Sequence, residues 1–433
     1  MSNLVHKPEL LLPAGSLERL KTAFLYGADA VYAGMPAVSL RNKTSFTMDE
    51  MKEGIFYAHT IGKKVYLTVN LFTHNQDIPK VEGFVQALND LNPDGVIVAD
   101  PGVFNLLKQK CPKIPRHIST QANVCSSLTI DFWKEQGASL CVLGREVSLP
   151  EIKEIRKLCP DIRLEMFIHG ALCISYSGRC LLSNFMTGRS ANKGNCAHTC
   201  RWRYKVYEGE RQSPDTDRNY YLEEETRAGQ LFQIDEDVHG TYIMNSRDLC
   251  LLPRLNEILP VGLDSFKIEG RNKSEYYAAI TARTYRAAID NWFKNPKDWK
   301  PDIYMTELMT LQSRGYTVGF LDGNAGPEAQ NYDHPGSHGD WRYAGIVRGH
   351  KTNRLVLEVK HKISVGTVLE ALSPYQFAPI QLTVSEIIDA VTQQKIETIS
   401  AGKIGQLVEI KVKSSIQKQL PPLSVLRVFD PEK

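Results

Sequence analysis

Ser265-Phe266-Lys267-Ile268-Glu269-Gly270 is a short run of the kind that forms a buried strand, and it decides the fold because it is the eighth of its type. The earlier seven are Leu10–Leu12, Ala30–Gly34, Lys64–Asn70, Gly95–Asp100, His117–Gln121, Leu140–Glu146 and Leu164–Ile168. Helical stretches separate most of them. Ser16 is placed to cap a helix over 17–26 and Thr47 one running to about Ile61; others are expected near 78–91 and from Ser274 to about Trp292. Eight successive βα units predict a (β/α)8 barrel. A doubly wound sheet is the alternative, but no strand is followed by GxGxxG.

Between the seventh and eighth strands the barrel pattern is interrupted over about 171–262. Four of the nine cysteines, Cys173, Cys180, Cys196 and Cys200, fall within 28 residues there, among small and polar side chains too poor in apolar groups to pack a core. Thiolates bind soft metals, so a metal can order such a loop where buried area cannot. The spacing is C-x6-C, x15, C-x3-C, which lacks the close pairs of a zinc finger, whereas iron–sulfur clusters accept irregular intervals. Zinc, an iron–sulfur cluster, and ordinary reduced thiols remain the three alternatives. Residues 201–240 hold ten acidic and six basic side chains and read as an exposed hairpin; Cys250 lies just beyond it.

In a (β/α)8 barrel the chemistry gathers where strands end. The polar residues at those ends are Asn70, Asp100, Gln121, Asn123, Arg145, Glu146, His169, Lys267, Glu269 and Arg271, and the cysteine loop leaves from the same face. Arg145, Arg271 and Lys267 are suited to hold carboxylates, and Glu146, Glu269 and His169 to move protons. Tyr176 or Trp202 is available to stack on a planar base.

At 433 residues the chain has room for two or three domains. With 42% hydrophobic and 23% charged residues and a formal net charge of +3, it is an ordinary globular chain whose charge does not by itself announce nucleic acid. No apolar run is long enough to cross a bilayer, and the odd cysteine count without a secretory pattern points to reduced thiols in the cytoplasm. The domains are expected at 1–294 (barrel with its insertion), 295–334 (linker and connecting segment) and 335–433, where short alternating strands predict a small β-barrel.

The run Glu165–Cys180, EMFIHGALCISYSGRC, resembles the signature of the collagenase-like peptidase family, unclassified-peptidase family thirty-two. Leu11–Gly15, Lys267–Arg271 and Arg314–Phe320 extend the resemblance over nearly the whole chain. Size and the C-terminal β domain are most similar to the branch of that family linked to prephenate-dependent tRNA hydroxylation, which forms 5-hydroxyuridine at the wobble position. The resemblance implies a [4Fe–4S] cluster on Cys173, Cys180, Cys196 and Cys250, with Cys200 the alternative third ligand. It also implies prephenate as co-substrate, tRNA as partner, and a shorter paralogous subunit or a second copy of the chain as a further one. Peptidase activity and a cluster-bearing scaffold role are the competing functions. The chain has no HExxH and no GxSxG, and a thiolate committed to iron is not a nucleophile.

Overall fold

The computed structural model describes residues 6–35, 46–172, 175–176, 180–189, 196–202, 204–209, 219–224, 231–234, 246–323, 329, 331, 337–401 and 405–431. Seven strands, β1 (Glu9–Pro13), β2 (Ala30–Ala33), β3 (Lys64–Val69), β4 (Gly95–Val98), β5 (Arg116–Ile118), β6 (Leu140–Val142) and β7 (Arg163–Gly170), run parallel in chain order. Helices α1 (Leu17–Leu25), α2 (Met48–Thr60), α3 (Ile78–Leu91), α4 (Pro101–Lys110), α5 (Ser127–Gln136) and α6 (Leu149–Leu158) join them.

After β7 come a short helix α7 (Leu182–Thr187) and an antiparallel sheet of β8 (Tyr204–Gly209), β9 (Asn219–Glu224) and β10 (Leu231–Ile234). The chain then returns as β11 (Asp248–Cys250), which adds antiparallel to the end of β7, Leu249 opposite Gly170 and Cys250 opposite His169. Helical turns from Leu252 to Val261, including α8 (Leu255–Ile258), stand where the seventh barrel helix belongs. Strand β12 (Ser265–Ile268) pairs with both β1 and β7, Lys267 lying between Leu11 and Phe167, and this double pairing closes an eight-stranded barrel. Helix α9 (Glu275–Lys294) completes the ring.

Local chemistry explains the element ends. Ser16 accepts the Arg19 N–H at the start of α1, Thr47 and Glu50 form a reciprocal cap on α2, and Asp100 accepts from Gly102 and Val103 on α4. The strands are buried on both faces, as parallel barrel strands must be. Leu11, Tyr32, Tyr66 and Ile97 fill the barrel interior, while the larger apolar core lies between strands and helices.

The stretch 295–334, expected to be a linker, contains α10 (Asp302–Leu308), whose Tyr304 and Leu308 are buried in that larger core, and β13 (Tyr316–Thr317), which pairs with β11. Beyond it an antiparallel sheet curls into a half-barrel, its longest strand Trp341–Lys351 lying between Val425–Phe429 and Arg354–Val359. Its own apolar core is separate, but the two units are tied together. The Tyr26 hydroxyl, at the end of α1, donates to the Leu372 carbonyl at 2.6 Å and accepts from the Val425 N–H at 3.1 Å.

Candidate functional site at the barrel mouth

Lys267 points inward from β12 and donates to Glu165 Oε1 of β7 at 2.8 Å; Ser265 donates to Glu165 Oε2 at 2.8 Å. Both charged side chains are almost wholly buried, at 5% and 1% exposure, so each is the other's main compensation for the lost water. One layer nearer the mouth, the Lys267 ammonium lies 4.5 Å from the centre of the Tyr32 ring. The Tyr32 hydroxyl donates to Glu269 Oε2 at 2.8 Å and shares its proton with the Ile268 carbonyl at 3.0 Å. Arg271 flanks the same ring at 5.6 Å and donates to Thr68 Oγ1 at 3.0 Å.

The other strand ends add amides and a cation. Asn70 donates its Nδ2 proton to Gln121 Oε1 at 2.7 Å, and Ser119 donates to the same oxygen at 3.3 Å. Arg145, half-buried after β6, lays its guanidinium 4.0 Å above the Phe167 ring. Glu146 is half-buried beside Cys125, both carboxylate and thiol standing within 2.8 Å of where a Cβ on Gly144 would sit. Strands β2, β3, β5, β6, β7 and β12 thus converge a lysine, arginines, carboxylates and amides on one end of the barrel, a disposition able to bind a carboxylate-bearing ligand and exchange a proton with it.

Two glycines make the convergence possible. A Cβ on Gly15 would stand 2.2 Å from the Arg271 carbonyl, the same carbonyl that receives Arg19 Nη1 at 3.2 Å, so the Pro13-Ala14-Gly15 turn and the segment after β12 touch only because Gly15 has no side chain. Gly170, at φ +113°, faces the Glu269 carbonyl, which a Cβ would meet at 2.4 Å.

Not every expected residue lies here. His169 is not a mouth residue. The β7–β12 register shifts between Lys267 and Ile268, which puts Ile268 opposite His169, and the same end of β7 also takes β11, with Cys250 opposite His169. The imidazole packs against Tyr277, Tyr285 and Tyr316, its Nδ1 3.3 Å from the Tyr285 hydroxyl. It is 2% exposed, and burial, with the Lys273 charge adding and Asp248 opposing, takes its pKa down to about 4. It is an enclosed ring among tyrosines. Asn123 is exposed in the left-handed region and closes the turn Thr120–Ala122 through its backbone N–H. Tyr176 is 58% exposed on the excursion. Tyr32, Thr68 and Glu165, which hold the mouth residues in place, lie inside the strand-like runs and carry no sequence signal of their own.

Of the cysteines, Cys250 sits at the root of the excursion, 1% exposed, with Sγ 3.6 Å from the Tyr285 hydroxyl and 3.8 Å from Met305 Sδ; burial pushes its thiol up to about 11. Cys180, Cys196 and Cys200 are half-buried on the loop itself. Cys196 Sγ accepts the His198 N–H at 3.3 Å and lies 3.9 Å from that ring's Nδ1, while Cys200 is within the turn Thr199–Arg201. Cys173 lies outside the described residues. Among the described residues no three His, Cys, Asp or Glu side chains converge as metal ligands. The donor chemistry nonetheless suits a soft metal: thiols dominate, and one sulfur already receives a backbone N–H.

Residues 15–331 match the family described as Peptidase family U32, and residues 339–427 match the Peptidase family U32 C-terminal domain. The chain belongs to the U32 family. Its relatives within reach include the tRNA hydroxylation protein P of Escherichia coli (strain K12), 41% identical over an alignment of 397 positions, which covers 85% of this chain and 86% of that one. The 23S rRNA 5-hydroxycytidine C2501 synthase of the same strain is 31% identical over 285 residues, 66% of this chain and 40% of its own length. The tRNA hydroxylation protein P2 of Bacillus subtilis (strain 168) is 28% identical over 319 residues, 73% of this chain and 97% of its own length. The U32 C-terminal match covers most of the half-barrel, and no described helix is long and apolar enough to cross a membrane.

Proposed function

We propose that this U32 chain hydroxylates RNA, and that its substrate is the wobble uridine of tRNA, converted to 5-hydroxyuridine without molecular oxygen in the cytoplasm. The single observation that carries this reading is the 41% identity, over 85% of the chain, to a protein named for tRNA hydroxylation, joined to a mouth built to bind carboxylates. Prephenate, a dicarboxylate, fits that mouth as oxygen donor. Arg271, steadied by Thr68, and Arg145, laid on Phe167, supply guanidinium forks for its carboxylates. Glu269, held by the Tyr32 hydroxyl, is the group placed to hold or release a proton at Oε1. Lys267 keeps a positive charge beneath them, while Glu165 prevents it from becoming an isolated buried ion.

The cluster reading places iron on Cys173, Cys180, Cys196 and Cys250. Cys196 is preferred to Cys200 because its sulfur already accepts an amide N–H, a contact that stabilises a thiolate ligand. A bound [4Fe–4S] cluster would supply electron-transfer or Lewis-acid capacity. A shorter relative of the kind found in Bacillus subtilis, or a second copy of this chain, is the expected protein partner. A Cys–His peptidase built on His169 is disfavoured by geometry, since the thiol across the strand pair from it is Cys250 and both are enclosed, at 2% and 1% exposure.

The test is reconstitution. Protein purified without oxygen is incubated with unmodified tRNA and prephenate, and the digested nucleosides are analysed by mass spectrometry. Appearance of 5-hydroxyuridine that requires prephenate supports the reading; cluster-loaded protein that binds tRNA and yields none overturns it.

A further inference from the structure

A cavity of about 1350 Å³ lies between the α10 region and the half-barrel. Its walls include Met305, Tyr316, Trp341 and Phe377, and Ile303 and Met309 stand 61% and 66% exposed at its edge. Its floor is charged but balanced. Arg427 donates to Glu307 at 3.0 Å, to Glu370 at 2.8 Å and to Thr310 at 2.9 Å, and Glu307 also pairs with Arg283. Arg314 pairs with Asp248. Cations already bonded to buried carboxylates do not attract a dianion, so this cavity is not a second donor site. What it offers is aromatic and apolar wall, with Thr306 and Ser313 among its polar edges.

The back of the cavity is shared with the cysteine root. Met305 lines it and touches Cys250 at 3.8 Å; Tyr316 lines it and packs 5.4 Å from the His169 ring. On the other side the Trp341 indole is fixed between the Arg427 guanidinium, 4.6 Å from its ring, and Phe429, edge-on at 5.4 Å. A rigid aromatic ring in a neutral concave pocket suits a flat, uncharged ring that protrudes from its carrier.

Resting on the reading that RNA is the substrate, we propose that this cavity takes an unstacked base of the bound RNA, one other than the base being modified. Trp341 and Phe377 form its stacking walls, and the floor network joins that grip to α9 and α10. Base stacking on aromatic walls tolerates any base, so the site adds affinity without adding sequence preference.

Photocrosslinking on the full chain tests it. An anticodon stem-loop carrying 4-thiouridine at one loop position at a time is irradiated with the protein, and crosslinked peptides are sequenced. The expected result is at least one loop position joined to residues 303–316, Trp341 or Phe377. Binding with every crosslink confined to strand-end loops overturns this inference and leaves the RNA reading standing; no binding or crosslink anywhere overturns both. A second measurement uses Thr306→Trp, an exposed position that fills the cavity edge. Stem-loop affinity should fall about tenfold, the loss of one stacked base, with the thermal midpoint unchanged. Unchanged affinity, or a chain dimer abolished by Met309→Glu while RNA binding persists, overturns the proposal, the latter by giving the cavity to a protein partner.

Discussion

The barrel mouth and the excursion after β7 both expose the chain to the cost of ordering polar groups, and they meet it differently. At the mouth four groups are each met by one from another strand or strand end: Lys267 by Glu165, Glu269 by Tyr32, Arg271 by Thr68, Asn70 by Gln121. The excursion, among its described residues, brings half-buried cysteines and a three-stranded sheet, and it returns to the barrel through β11, which pairs with β7 and β13. A mouth so cross-linked is preorganised by the barrel alone. On the cluster reading proposed above, metal–thiolate bonds supply the excursion with an ordering force of another kind.

The sharpest way to break this contrast is to remove the thiols. Cys250→Ser should abolish bound iron and acid-labile sulfide, expected at about four each per chain in the unmodified protein, and Cys173→Ser, Cys180→Ser and Cys196→Ser should do likewise. Cys200→Ser should keep both. Stoichiometric zinc, or iron that survives Cys250→Ser, would give the excursion a different source of order. At the mouth the largest effect expected is on stability. Lys267→Met leaves Glu165 buried without its cation and should cost about 3–5 kcal/mol in urea unfolding, much of it recovered when Glu165→Gln is added. Equal losses in the single and double variants would mean that the pair is not what holds this layer.

Acid sharpens the same comparison. His117 lies inside the barrel, 1% exposed, and burial, with Arg163, Lys267 and Lys64 adding, takes its pKa from 6.5 to about 3. Between those values the unfolded chain binds a proton that the folded chain refuses, so stability is fully present above about pH 6.5 and declines as pH falls toward 3. Replacing His117 by Gln should flatten the slope of unfolding free energy against pH in that window by up to one proton; an unaltered slope would place the acid-sensitive group elsewhere. The smallest effect is Tyr32→Phe. Losing the hydroxyl that holds Glu269 should lower kcat about tenfold while costing about 1 kcal/mol of stability. Full activity would remove Glu269 orientation from the account.

Eight strand-like runs were enough to read the barrel, because strands buried on both faces appear as short continuous apolar segments whatever the rest of the chain does. The same runs located Asn70, Gln121, Arg145, Glu146, Lys267, Glu269 and Arg271 at strand ends. Glu165 was hidden because its meaning depends on β12 lying beside β7 with Lys267 opposite Phe167, a register separated by about 100 positions of sequence. His169 was misplaced for a related reason: sequence puts it just past a strand, but shows neither the register shift against β12 nor the β11 pairing that go with its place among Tyr277, Tyr285 and Tyr316. In 295–334, the Pro and Lys of the opening residues resemble a connector, and the apolar face of α10 becomes evident only against the barrel core that covers it.

Cells hold the most direct test of the function. Nucleosides of total tRNA are compared by mass spectrometry between a strain lacking this chain and any redundant hydroxylase, and the same strain complemented with the unmodified chain or with Arg271→Ala. The account predicts that wobble 5-hydroxyuridine disappears, returns with the unmodified chain and does not return with the variant; 5-hydroxyuridine persisting at its normal level in the deletion strain would contradict it.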